Sequence, residues 1–254
     1  MGHIRLGRLP RTRKWQAVVG LIGTGAETPF IAAATLAASK QALRDAAGDP
    51  TVVHSFWLLT QIPLCARQPD FVNELQRIGV TVGTAPTLME LIGGFSDAVD
   101  SHVQRTRGRT DLGEMAQMGA AESLTRVLGE RTSSLFGSTA DDVRRELSHL
   151  GTPANFSLLA RDFFARLTER YLTYFLSREL SNQLRSIDAN RQFREALSLH
   201  CSQASKIVQK FAADWFSKAN YQGGITARKA AGFVSHALNK INAEIEQGAE
   251  SGET

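Results

Sequence analysis

Residues 153–184 read PANFSLLARDFFARLTERYLTYFLSRELSNQL, and the placing of apolar residues in this one stretch decides the fold class. Phe156, Leu159, Phe163, Phe164, Leu167, Tyr171, Tyr174 and Phe175 fall on one broad side of a helix that turns every 3.6 residues. A half-buried strand would need alternation in twos instead. Thr152 and Pro153 mark the start, a capping residue followed by a ring whose missing N–H costs nothing in the first turn. So many rings in helical phase read as core and not as a base-stacking or cofactor site, because stacking platforms for nucleotides sit on exposed sheets or grooves.

The same period continues on both sides. After Asp188, the residues Phe193, Leu197, Cys201, Ala204, Val208, Phe211 and Trp215 predict a single helix of about thirty residues with a near-heptad seam. Its short connection to the preceding helix implies an antiparallel hairpin. Gly223 and Gly224 end it, and Thr226 opens a last helix carrying Ala230, Phe233, Ala237, Ile241 and Ile245. From Gly248 the chain is short and polar, with Glu250 and Glu253, and is expected to be a disordered tail. On the N-terminal side, a helix from Asp111 to about Phe136 carries Met115, Met118, Leu124, Val127 and Leu128. Ser138 with Asp141 then forms a capping signature for a helix of Val143, Leu147 and Leu150 that Gly151 ends.

Arg105, Arg107, Gly108 and Arg109 interrupt the pattern and mark a candidate domain boundary. Before it, Leu88, Ile92, Phe95, Val99 and Val103 follow Pro86 at helical steps, and a short helix from Pro69 to Ile78 is closed by Gly79. Val52 to Leu64 is apolar without a clear period, so helix and buried strand both stay open there. Thr28 and Pro29 open an alanine-rich helix running to Gly48, and Trp15, Val18, Val19 and Ile22 line one side of a first helix that the Gly23, Gly25 pair ends. The expectation is an all-α multi-helix bundle of about nine helices, with a small α/β unit in the N-terminal part as the alternative. Its parts are a basic arm over 1–14, an N-terminal helical layer over 15–107, a C-terminal bundle over 108–247 and the tail over 248–254.

A chain of 254 residues buries enough apolar surface without staples, and Cys65 and Cys201 are its only cysteines, with no CxxC. A disulfide framework or a structural zinc site is therefore not expected, and reducing cytoplasm is the default location. No stretch approaches the roughly 20 apolar residues that a spanning helix needs, and the N-terminus has no apolar segment of signal-peptide type. The net charge of +4 has one source: Arg5, Arg8, Arg11, Arg13 and Lys14 lie in the first fourteen residues with no acid among them. The remainder holds 24 basic and 25 acidic residues, which argues against a broadly cationic, nucleic-acid-coating surface. Arginine outnumbers lysine 22 to 7, for which a GC-rich bacterial genome is the plainer explanation than phosphate recognition.

Each motif with a chemical reading meets a plainer one. Gly23, Thr24, Gly25 imitates a dinucleotide turn, yet Thr28 stands at the third glycine position and the preceding run is phased as a helix, so an interhelical turn is expected. Glu146 and His149 have the spacing of one half of a di-metal site, but the chain has no second Glu-x-x-His, and a surface histidine is expected. His200 and Cys201 are adjacent and so point about 100 degrees apart on a helix, which prevents direct proton sharing. Cys65 has no evident base, and Asp97, Asp100 and His102 read as an ordinary helix surface.

The functional expectation is a non-catalytic helical interaction or scaffold subunit of an intracellular, bacterial multi-protein system, working with other subunits or with itself and using no cofactor or metal. Arg5, Arg8, Arg11, Arg13 and Lys14, interleaved with Ile4, Leu6 and Leu9, are the candidate partner- or nucleic-acid-binding residues. The alternatives are a nucleic-acid-binding regulator or antiviral-defence accessory protein, and a nucleotide- or metal-dependent enzyme.

Overall fold

In the computed structural model the described residues are 12–24, 26–27, 30–31, 34–35, 38, 45–106, 108–132, 139–183 and 187–251. They form ten helices and no strand, an all-α multi-helix bundle: α1 (Arg13–Gly23), α2 (Pro50–Ala66), α3 (Phe71–Arg77), α4 (Leu88–Arg105), α5 (Asp111–Thr132), α6 (Ala140–Leu150), α7 (Pro153–Gln183), α8 (Ile187–Ala204), α9 (Lys206–Tyr221) and α10 (Ala227–Ser251). The α/β alternative for the N-terminal part is excluded among these residues. The arm over 1–11, Gly25, Thr28, Pro29, most of the alanine-rich stretch, and Ser138 lie outside the described residues.

The segment that sequence left open, Val52 to Leu64, is helix α2, and it has no clear period because it is covered on nearly every side. It packs against α4, α5, α6, α7 and α10. A strand is ruled out locally at its start, where Asp49 Oδ1 accepts the N–H groups of Thr51 at 2.8 Å and Val52 at 3.1 Å and Pro50 takes the first turn. Pro63 sits in the last turn, where its missing N–H removes one helical hydrogen bond. The carbonyls beyond are taken up by arginines from later in the chain. Arg144 donates to the oxygens of Ala66, Gln68 and Pro69, and its guanidinium lies 5.9 Å from the Phe71 ring centroid.

Phe56 of α2 is the centre of the core. Its ring stacks parallel on Phe233 of α10 at 5.0 Å and lies 6.1, 5.8 and 5.5 Å from Phe156, Phe163 and Phe164 of α7. Trp215 of α9 is 6.0 Å away. The aromatic stripe of α7 is thus core, with Phe156, Phe163 and Phe164 fully buried. One contiguous cluster of apolar side chains extends from Trp15 to Ile241 and includes residues on both sides of 105–109.

The single long helix expected after Asp188 is two helices, because α8 ends at Ala204 and α9 begins at Lys206. Ser205 N donates to Cys201 O, and Val208 N donates to Ser205 O, a tight closure that shifts the helical phase of α9 relative to α8. The buried row is accordingly Phe193, Leu197, Cys201, Ser205, Val208, Ala212, Phe216 and Ala219, while Ala204, Phe211 and Trp215 of the expected seam are only partly buried. Contacts between α7 and α8 run in opposite order along the two, Arg161 to Ser202 and Glu169 to Ser198, so the hairpin is antiparallel. At its other end α9 closes through Gly223 and Gly224, both at positive φ, and Lys229 Nζ donates to the carbonyls of Ala219, Gln222 and Gly224.

Three boundaries differ from expectation. The capping box before α6 is Thr139 with Asp142, one residue later than Ser138 with Asp141, and in it side chain and N–H reach each other reciprocally. Helix α1 begins at Arg13, so Arg13 and Lys14 belong to its first turn and not to the arm. Helix α10 runs through Gly248 to Ser251, because a run of alanine, glutamate and glutamine continues the backbone ladder; 252–254 lie outside the described residues.

Two adjacent glycines of α4 should respond oppositely to a methyl group. A Cβ on Gly94 would meet Thr81 O at 2.6 Å and the methyls of Val80 and Val82 at 3.2 Å, whereas Gly93 has nothing within 4 Å. Gly94→Ala is expected to lower stability in urea titration by about 1–3 kcal/mol. Gly93→Ala is expected to raise it by about 0.5–1 kcal/mol.

Candidate functional site

Among the described residues, a polar cleft of about 560 Å³ lies where α5, α7 and α8 meet. Its walls are set by helical spacing. On α7 the residues Asp162, Arg166, Arg170 and Tyr174 recur every four positions beside the aromatic stripe, and on α5 Asp111, Met118, Glu122 and Arg126 line the facing edge. The two helices are antiparallel, so these rows meet as a ladder. Tyr174 Oη donates to Asp111 Oδ2 at 2.8 Å, Arg170 pairs with Glu122, and Arg166 reaches Glu122 at 3.2 Å and Asp162 at 2.8 Å. Arg126 completes the row on Asp162 at 2.6 Å. From the other side α8 contributes Arg194, and Ser198 Oγ donates to Glu169 Oε2 at 3.1 Å.

Burial works against the charge of Arg166, but its pairs with Asp162 and Glu122 together outweigh this and bind its proton more firmly than usual. Arg170 has a buried Nε with no hydrogen-bond partner, and its Nη1 rests 3.9 Å from the sulfur of Met118. Met118 itself is 51% exposed at the rim. The cleft therefore presents charges held in place by ion pairs and hydroxyl hydrogen bonds, beside the adaptable apolar side chain of Met118.

The residues singled out from sequence lie elsewhere. Arg13 and Lys14 are exposed in the first turn of α1, beside the Thr12 side chain that accepts from Trp15 N, and neither lines the cleft; Arg5, Arg8 and Arg11 are outside the described residues. Thr24 donates to the carbonyls of Gly20 and Leu21, so the glycine turn closes a helix, and the strand that a dinucleotide fingerprint requires is not there. Glu146 and His149 sit 3.6 Å apart on α6, and among the described residues no three His, Cys, Asp or Glu side chains converge as metal ligands. Cys201 is buried, and burial with nearby Glu169 pushes its thiol far up; burial and then Glu74 push Cys65 up to about 11. Neither is a ready thiolate at neutral pH.

Asp97, Asp100 and His102 do not act together. Asp100 accepts from Arg109 at 2.7 Å and from Gln117 at 3.2 Å, while His102 turns to α2 and stacks on His54. Sequence reasoning missed both the cleft and this histidine pair. The polar row of α7 was visible at four-residue spacing, but nothing in the sequence says that α5 lies beside it. Comparison with protein-family models, with curated proteins and with solved structures matches the chain to none of them.

Removing the shared acid tests the ladder. Glu122→Gln should cost about 1 kcal/mol in urea titration, because one half-exposed carboxylate serves two partly buried guanidinium groups. A double variant with Arg170→Met should lose less than the sum of the two single variants.

Proposed function

We propose that the chain is a non-catalytic helical interaction subunit that recognises other proteins, or a second copy of itself, through its helix faces. The observation that carries this reading is the state of the charges in the α5–α7–α8 cleft. Glu122 is held by Arg166 and Arg170, Asp111 by Tyr174, Glu114 by Arg109 and Glu169 by Ser198. Groups held in this way, by guanidinium groups or by hydroxyls, set shape and polarity and do not serve as mobile acids or bases. Large apolar side chains left in solvent on other helices add contact area, among them Met89 on α4, Leu199 on α8 and Tyr221, 93% exposed, at the end of α9.

A second reading rests on the basic N-terminus. Arg5, Arg8, Arg11, Arg13 and Lys14 would dock on an acidic protein surface or a phosphate backbone. A cytoplasmic, bacterial, multi-protein setting is part of this proposal; it is supported by the sparse cysteines and by the arginine excess.

Two measurements test the proposal. Isolation of the tagged chain from its own host should recover a stoichiometric companion, or sedimentation should find an oligomer; a strict monomer without companions would remove the leading reading. Deleting residues 2–13 should weaken partner or nucleic-acid binding more at about 50 mM than at about 300 mM salt. Equal binding at both salts would take the arm out of the function.

A further inference from the structure

The imidazoles of His54 on α2 and His102 on α4 lie face to face, with centroids 3.9 Å apart and planes within 7°. Nitrogen lone pairs lie in the ring plane, so two parallel faces do not converge on a metal ion; this contact is a packing joint between two helices. Trp57, one turn after His54, extends the stack at 5.5 Å and anchors it by donating its indole N–H to Ile225 O at 2.9 Å.

Three helix ends meet around this joint. Asp49 Oδ1 caps the start of α2, and Asp49 Oδ2 accepts from the Thr110 hydroxyl at 2.7 Å. The same Thr110 oxygen accepts from Gly113 N at 2.8 Å and so caps α5. At the end of α4, the Thr106 hydroxyl donates to His102 O. The charged groups that act on the pair are Arg105, one turn after His102 on α4, and Asp49 at the start of α2; Thr110 is uncharged. His102 Nε2 is buried and has no hydrogen-bond partner.

We propose that the His54–His102 stack is an acid-sensitive latch, in which two uncharged rings hold the end of α4 on α2 and protonation of a ring releases that end together with the Asp49–Thr110 junction. A proton on either ring creates a cation in a partly buried place beside Arg105, and a proton on each sets two like charges face to face. Burial, then His102 and Arg105, brings His54 down to about 4. Burial and Arg105 also lower His102, against the pull of an Asp49 carboxylate that already accepts three hydrogen bonds.

Proton linkage sets the direction. An unfolded histidine takes up its proton near pH 6.5 and the folded His54 only near 4, so the native state loses stability as pH falls through that interval. The Asp142 carboxylate acts lower: held down to about 2 by its hydrogen bonds with Thr139 and Arg145, it loses its contribution only below its ordinary 3.8. The two windows do not overlap.

Urea titration of the full chain at about pH 7.5 and about pH 5 should show the folding constant falling on the order of tenfold more in the wild type than in a His54→Phe, His102→Phe variant that keeps stacked but non-titrating rings. An equal fall in both would overturn the latch. Ring-proton NMR of the wild type decides independently of the variant: His54 titrating well below 6 supports the proposal, and titration near 6.5 overturns it. Amide exchange, corrected for intrinsic pH dependence, should speed up at about pH 5 in residues 99–106 and in the first turn of α5 but not in α7. Uniform exchange across the three regions would also overturn it.

Discussion

The structure depends on the near-complete enclosure of α2, and above all on Phe56. One ring touches three later helices, α7, α9 and α10, so a side chain from the first quarter of the sequence holds the C-terminal half together. Burial of an aromatic ring of this size contributes a few kcal/mol on its own. It also imposes a constraint: a helix enclosed on nearly all sides must be apolar around its circumference, and its ends must find polar partners from elsewhere. Asp49 meets the first need of this kind, and Arg144 meets the second from more than seventy residues away.

Once the aromatic side of α7 is committed to Phe56, its flank is committed too. Positions four apart beside the stripe cannot reach the core, and they hold the Asp162–Arg166–Arg170 row that locks onto α5. The abundance of arginine matters here physically, whatever its genomic origin. A planar fork satisfies two carboxylates at once, as Arg166 does, where an ammonium group would hold a single point. The result is a cleft whose charged groups are held in place by neighbours on α5, α7 and α8. The histidine joint between α2 and α4 works the other way: burial of its rings disfavours their charged form.

Much of the helix plan was legible because solvent marks it. Trp15, Val18 and Ile22 on α1, Leu91 to Val103 on α4 and the stripe of α7 each bury one side and expose the other, which leaves a period in the sequence. Where both sides are covered the period vanishes, and α2 was ambiguous for that reason. The break at Ser205 was hidden differently. A seam stepping by threes and fours fits one long helix or two short ones equally well, and the choice depends on the buried positions Ser205, Val208 and Ala212 and on the packing of α9 against α7. Capping was legible in kind but off by one residue at α6, because Ser138 and Thr139 are adjacent hydroxyl residues that offer the same chemistry in sequence.

By itself the sequence determined that most of this chain forms helices, roughly where those helices start and stop, and which side of each seeks a core, because these are local consequences of periodicity, capping and glycine; only the N-terminal part stayed open to an α/β unit. It left undecided which helix would be enclosed and which side chains from distant positions would meet. The pairing of His54 with His102, of Glu122 with Arg166 and Arg170, and of Phe56 with Phe233 depends on long-range packing, and contacts across many tens of residues leave no periodic trace in either partner. Tertiary structure alone settled them, since only the joint filling of one apolar volume fixes which faces come together.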